Sequence, residues 1–122
     1  MGDRTTTGVL VVLVSCDDPS KVDEMNQWYN ETHIPDILAT GCYFSATRYE
    51  NTRTRDGDPT YVAIYETDWD DPAQAFKELR KRTAAHGPPP PYIKSHGGYT
   101  YLYIGPDREG VTEIAKSRIG AK

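Results

Sequence analysis

Two uninterrupted apolar runs constrain the fold of this chain most: Gly-Val-Leu-Val-Val-Leu-Val-Ser at residues 8–15 and Thr-Tyr-Val-Ala-Ile-Tyr-Glu-Thr at 60–67. Runs of this kind suit strands buried on both faces. Each is followed by helix-start chemistry. After the first, Ser20 is the expected N-cap, with Asp23 and Glu24 in the first turn. That helix is expected to reach Thr32 or His33, with Met25, Trp28, Tyr29 and Thr32 as its inner stripe. Pro35 disfavours the helical region for Ile34, which predicts a break there. It then opens a short second turn through 36–39 that Gly41 stops. After the second run, Asp71 caps a helix with Pro72 at its first position and Ala75, Phe76, Leu79 and Thr83 inward. Gly87 and the prolines at 88–91 end it.

Two further strands are expected at 42–50 and 99–104, and Asp56-Gly57 signals the loop before the second run. The order β-α-β-β-α-β predicts an α+β, ferredoxin-like domain. Its single antiparallel sheet carries two helices on one face, with the first and third strands central. The domain is placed at 8–105, between a flexible N-terminus at 1–7 and a polar tail at 106–122 of weak helix character. The other sheet face is left bare. Tyr61, Ala63 and Tyr65 share one face of their strand, and Tyr99, Tyr101 and Tyr103 share one face of theirs. Both sets are assigned to the bare side, with Val62, Ile64, Leu102 and Ile104 towards the helices. A bare face rich in tyrosine predicts a partner or a ligand, which Tyr65 and Tyr101 would touch.

Composition bears on the partner. At 122 residues the chain is one domain. With 37% hydrophobic residues and a mean hydropathy of −0.69, part of its apolar surface is expected to be buried against a second copy. A net charge of −4 argues against nucleic acid. The basic cluster Lys77, Arg80, Lys81 and Arg82 suits the C-terminal end of a helix. No apolar run approaches a membrane span and no signal-peptide core is present, so a cytoplasmic location is expected. Cys16 and Cys42 have no metal-ligand spacing and are expected to be free thiols.

The chemistry concentrates in Trp28-Tyr29-Asn30-Glu31-Thr32-His33-Ile34-Pro35-Asp36. A proton-transfer site needs an imidazole that titrates near neutrality, an acid to orient it and apolar walls to shed water. His33, the carboxylates Asp36 and Glu31, and the walls Trp28 and Tyr29 supply those parts. The plain alternative is a half-buried histidine near a helix end, where it also favours the dipole. His86 and His96 flank a Gly/Pro loop at 87–98, read as a mobile cover hinged at Gly97-Gly98. A metal site of three histidines has no support in their spacing.

The element order together with Trp28-Tyr29-x-x-x-His33-x-Pro35 resembles the dimeric α/β-barrel superfamily, and within it the EthD-type proteins. The segment from Gly41 to Arg48-Tyr49 is similar to the strand that follows the helix in such families. The resemblance covers about residues 8–105. It implies a homodimer whose sheets face each other, with a pocket between each sheet and the end of its helices. It also implies chemistry on aromatic, lactone or polyketide-like compounds, as in methylmuconolactone methylisomerase and small polyketide cyclases.

The expectation is therefore a cofactor-independent isomerase, cyclase or lyase acting on a small molecule. His33 is its general acid or base, and Asp36 or Glu31 orients the imidazole. Arg48 binds a carboxylate or an enolate oxygen, and His96 is a further catalytic candidate. Trp28, Tyr29, Tyr65 and Tyr101 are the expected substrate contacts. No dinucleotide fingerprint, phosphate loop or haem-attachment motif is present. The alternatives are a non-catalytic ligand-binding barrel and a haem-dependent or cofactor-free monooxygenase.

Overall fold

A computed structural model describes residues 5–106, 108, 112–114 and 116. Residues 1–4 and most of the expected C-terminal tail lie outside that set. The elements run β1 (Gly8–Cys16), α1 (Val22–Trp28), a π-helical turn (Tyr29–His33), α2 (Ile34–Ala39), β2 (Ser45–Glu50), β3 (Tyr61–Thr67), α3 (Pro72–Arg82) and β4 (Ile93–Leu102). All pairings are antiparallel and the sheet order is β2-β3-β1-β4. This is the ferredoxin-like α+β fold, and its central strands are the two apolar runs.

The first helix departs from expectation at both ends. Its entry is a 3-10 turn over Pro19–Lys21, capped by Asp18 and not by Ser20. The Asp18 carboxylate accepts from the Ser20 amide at 3.0 Å and from the Ser20 hydroxyl at 2.7 Å. The expected break at Pro35 does not occur. The Ile34 amide reaches back to the carbonyl of Tyr29, five residues earlier, and α2 continues directly. A proline inside an α-helix clashes with the carbonyl four residues back and leaves it unbonded. Here the turn before it is already widened to i→i+5 bonding, and Pro35 occupies the first turn of α2, where no amide is needed. Thr32, expected inward, is exposed on the widened turn.

The core lies between the sheet and the helices. Leu10, Ala63 and Tyr65 pack against Ile37, Tyr43, Ala75 and Leu79, and Val14 packs against Met25 and Tyr29. Both free thiols have places in this scheme: Cys42 is buried in the core, and Cys16 ends β1 half-buried. The α3 start is as read, with the Asp71 carboxylate accepting from the Ala73 amide at 3.0 Å. From its far end, Arg82 Nη1 donates to the Thr40 carbonyl at the end of α2, at 2.7 Å. A cation at a helix C-terminus is the plain reading of that basic cluster.

The face assignment of β3 is reversed. Tyr61, Ala63 and Tyr65 point at the helices, and Val62 and Ile64 lie on the bare side. Period two shows which residues share a face but not which face it is. The tyrosine rings fill the space under the widened turn, where Tyr29 and Tyr43 also pack. On β4 the assignment holds for Tyr99 and Tyr101, which are 50% and 55% exposed. The bare face thus carries three cross-strand rows: Tyr49-Val62-Leu13-Gly97, Thr47-Ile64-Val11-Tyr99 and Ser45-Glu66-Val9-Tyr101.

The second half of the loop read as a mobile cover is strand. β4 begins at Ile93, so Gly97 and Gly98 are ladder residues opposite Leu13 and Val12. The register slips between Leu13 and Val14, and His96 is the extra residue on the β4 side. Gly97 follows it at φ +114, where an added Cβ would meet the Tyr99 hydroxyl at 2.9 Å. These glycines serve a β-bulge and not a hinge.

Candidate functional site

Sheet register assembles one polar cluster on the helix-facing side. Arg48 of β2 stands opposite Ala63 of β3, so its diagonal same-face neighbours are Tyr61 and Tyr65. The widened turn lays Tyr29 over this group. The Arg48 guanidinium carbon lies 4.5 Å from the Tyr29 ring centroid and 5.5 Å from that of Tyr61. Such cation–π contacts hold a guanidinium in place without using its N–H donors. Its one side-chain hydrogen bond among the described residues is long, from Nη1 to Asn30 Oδ1 at 3.4 Å.

His33 occupies the other side of Tyr29. Its ring stacks on Trp28 at 4.6 Å between centroids and meets Tyr29 edge-on at 5.1 Å. In an α-helix of about 3.6 residues per turn, positions five apart point about 140° away from each other. The i→i+5 turn is what brings Trp28 and His33 onto one side. The imidazole is half-buried and has no hydrogen-bond partner among the described residues. Burial lowers its pKa below the ordinary value; Asp36 opposes this and His86 reinforces it. At neutral pH it is the free base.

Two of the tyrosines around Arg48, Tyr29 and Tyr65, are held in the phenol form. Burial raises the pKa of Tyr29, with Arg48 opposing, and raises that of Tyr65, with Tyr29 adding and Arg48 opposing. Tyr43, which meets Tyr65 at 6.0 Å between ring centroids, is pushed up to about 12 by burial first and Cys42 second. A shallow depression of about 170 Å³ opens on Arg48, walled by Asn26, Tyr49, Glu50 and Tyr61 as well. His33 is not among its walls.

Of the expected site residues, Trp28, Tyr29, His33, Arg48 and Tyr65 come together. Asp36 is exposed on α2 and reaches His33 through its charge alone. His96 and Tyr101 do not join them. Both lie on the bare sheet face, where His96 Nε2 sits 2.8 Å from the Ser15 hydroxyl and Tyr101 pairs with Val9. His96 was drawn to the site by the loop reading, which the strand removes. Tyr61 was placed on the opposite face by the sequence, and Asn30 and Tyr43 were not singled out as site residues in it. Only the β2–β3 register, which no local pattern carries, places Tyr61 beside Arg48.

Among the described residues no group of three His, Cys, Asp or Glu side chains is placed to hold a metal ion, and no helix is long and apolar enough to cross a membrane.

Comparison with known proteins adds the fold and a family. The crystal structure of HapK from Hahella chejuensis superposes with a TM-score of 0.55 at 9% identity, over 83% of this chain and 96% of that one. A dimeric ferredoxin-like protein of unknown function from Thermobifida fusca YX gives 0.45 at 12% identity, over 82% and 94%. At these identities the first likeness shows the fold alone. No curated protein matches the sequence. The sequence pattern of DUF4286, a domain of unknown function, matches residues 9–85.

Proposed function

Because the chain belongs to the DUF4286 family, whose function is unknown, its chemistry is read from its own side chains: we propose a cofactor-independent enzyme of isomerase, cyclase or lyase type, acting on a small molecule with His33 as proton carrier. One observation carries the reading. An imidazole with no hydrogen-bond partner among the described residues, its pKa lowered by burial, and a guanidinium with one long hydrogen bond pack against the same ring, Tyr29. A neutral imidazole takes a proton from carbon beside a carbonyl, and a cation nearby stabilises the oxygen that gains charge. Trp28 and Tyr29 limit water at the imidazole. The resemblance to EthD-type proteins, carried by Trp28, His33 and Pro35, points the same way.

A second reading, a barrel that binds a ligand without turning it over, is favoured by the absence of His33 from the walls of the depression at Arg48. Proton exchange separates the two. In D₂O, small keto acids and lactones should lose their acidic C–H signals by NMR when the protein is added. His33→Ala should slow that exchange about 10²–10⁴-fold with the melting temperature preserved. Exchange retained within a factor of about three would make His33 structural.

We further propose that the active form is a homodimer joined through the bare sheet face. Its three rows are apolar or tyrosine-bearing and carry one charged side chain, Glu66, in a chain of which 26% is charged. Contiguous apolar surface of this kind marks an interaction site.

A further inference from the structure

Three hydrogen-bonding atoms of the helix-facing cluster are sealed from solvent with no hydrogen-bond partner among the described residues: Nη2 of Arg48 and the hydroxyls of Tyr65 and Tyr43. Tyr65 is 2% exposed. The β2–β3 register makes Arg48 and Tyr65 diagonal neighbours on one face, and the Arg48 charge opposes the rise that burial gives the Tyr65 pKa. A buried donor without a partner costs about 1–3 kcal/mol, more when it is charged. Folded proteins rarely carry such a cost without a use for it.

We propose that Arg48 and Tyr65 form a subsite for the carboxylate of a small organic monoacid. This rests on reading the helix-facing cluster as the ligand site, and it names the class of substrate. Arg48 offers donors only, and the Tyr65 phenol adds another, so the complement is a group that accepts only. The guanidinium fork matches the planar geometry of a carboxylate. Tyr29 and Tyr61, already packed on the guanidinium, offer ring surface to a flat acid. The depression of about 170 Å³ opens on Arg48 and Tyr61, with the Tyr65 hydroxyl sealed off behind them, so the acid would have to displace side chains to reach it; it is smaller than the roughly 300–1,000 Å³ of sites for drug-sized ligands. Glu50 on its wall repels a second negative charge, which disfavours phosphate.

The test uses the full chain, with benzoate, its uncharged isostere benzamide, and inorganic phosphate as probes, titrated by calorimetry or NMR. Benzoate should bind saturably and at least about tenfold more tightly than benzamide or phosphate, the scale of one charge-assisted hydrogen bond. Arg48→Gln and Tyr65→Phe should each bring benzoate down towards benzamide. Tyr65→Phe should keep its melting temperature, because it removes only an unbonded hydroxyl; this variant decides the matter if Arg48→Gln fails to fold. Equal binding of benzoate and benzamide, phosphate binding as tight as benzoate, or benzoate affinity untouched by Tyr65→Phe would each overturn the subsite. Benzoate selectivity without any His33-dependent proton exchange would support the subsite and defeat the catalytic reading. Exchange without benzoate selectivity would do the reverse.

Discussion

Burial is the first cause of the lowered His33 pKa, and it has consequences for both rate and stability. The unfolded chain protonates this histidine near the ordinary 6.5 and the folded chain only at lower pH. Stability contributed by the neutral form is therefore full above about 6.5 and lost as pH falls towards the depressed value. Thermal melts between about pH 5 and 8 should show this slope, and His33→Gln should flatten it. If the imidazole is the base, the acid limb of kcat/KM should also lie below 6.5. Asp36→Asn should move that limb lower still, and His86→Gln should move it up, because one opposes the shift and the other adds to it. A limb at or above 6.5 in the wild type would contradict a buried base. At this scale the sequence was half legible. Trp28, Tyr29 and His33 were found because they lie within six consecutive residues. Arg48 was found through its place beside Tyr49 on the next strand. Tyr65 was named for the wrong face, and Tyr61 was missed as a site residue, because their positions depend on strand register.

Helices and strands were legible wherever local chemistry decides them. Asp71-Pro72 starts α3 as its residue types require, and the apolar runs are β1 and β3. The errors fall where two neighbouring elements settle a conflict together. Pro35 alone predicts a break, yet the helix passes it because the preceding turn shifts to i→i+5 bonding. Gly97 and Gly98 alone predict a hinge, yet pairing with β1 makes them strand. Gly8 shows how tight such joints are. A Cβ there would meet the Tyr101 carbonyl oxygen at 2.5 Å and Pro72 Cγ at 2.6 Å. That point is where β1, β4 and the start of α3 meet, and the backbone oxygen cannot move aside without opening the β1–β4 ladder. Gly8→Ala should lower unfolding free energy by about 1–3 kcal/mol, the usual range for overpacking. Urea denaturation measures it; a change below about 0.5 kcal/mol would mean the joint relaxes.

At the scale of the molecule, one sheet face is covered by helices and the other by nothing among the described residues. Val9, Val11, Leu13, Val62 and Ile64 are only half-buried there, with Tyr49, Tyr99 and Tyr101 standing beside them. Two of the residues the sequence nominated for catalysis or substrate, His96 and Tyr101, belong to this face. Under the dimer proposal they meet the partner copy instead of the ligand cluster at Tyr29. Tyr101→Glu tests the arrangement with little risk to the fold. The side chain is 55% exposed, so a carboxylate at this position stays in water in the monomer and costs the monomer little. In a face-to-face dimer the same carboxylate is pressed into an apolar surface without a partner, a cost of several kcal/mol unless it is protonated. The wild type should therefore scatter light as a dimer at micromolar concentration, and Tyr101→Glu as a monomer with an unchanged circular dichroism spectrum. Lowering the pH towards 4 should restore association in the variant, since protonation removes the charge that opposes burial. A wild type that is monomeric at micromolar concentration, or a variant that dimerises equally well at pH 7, would place the contact elsewhere and leave this face open to another ligand.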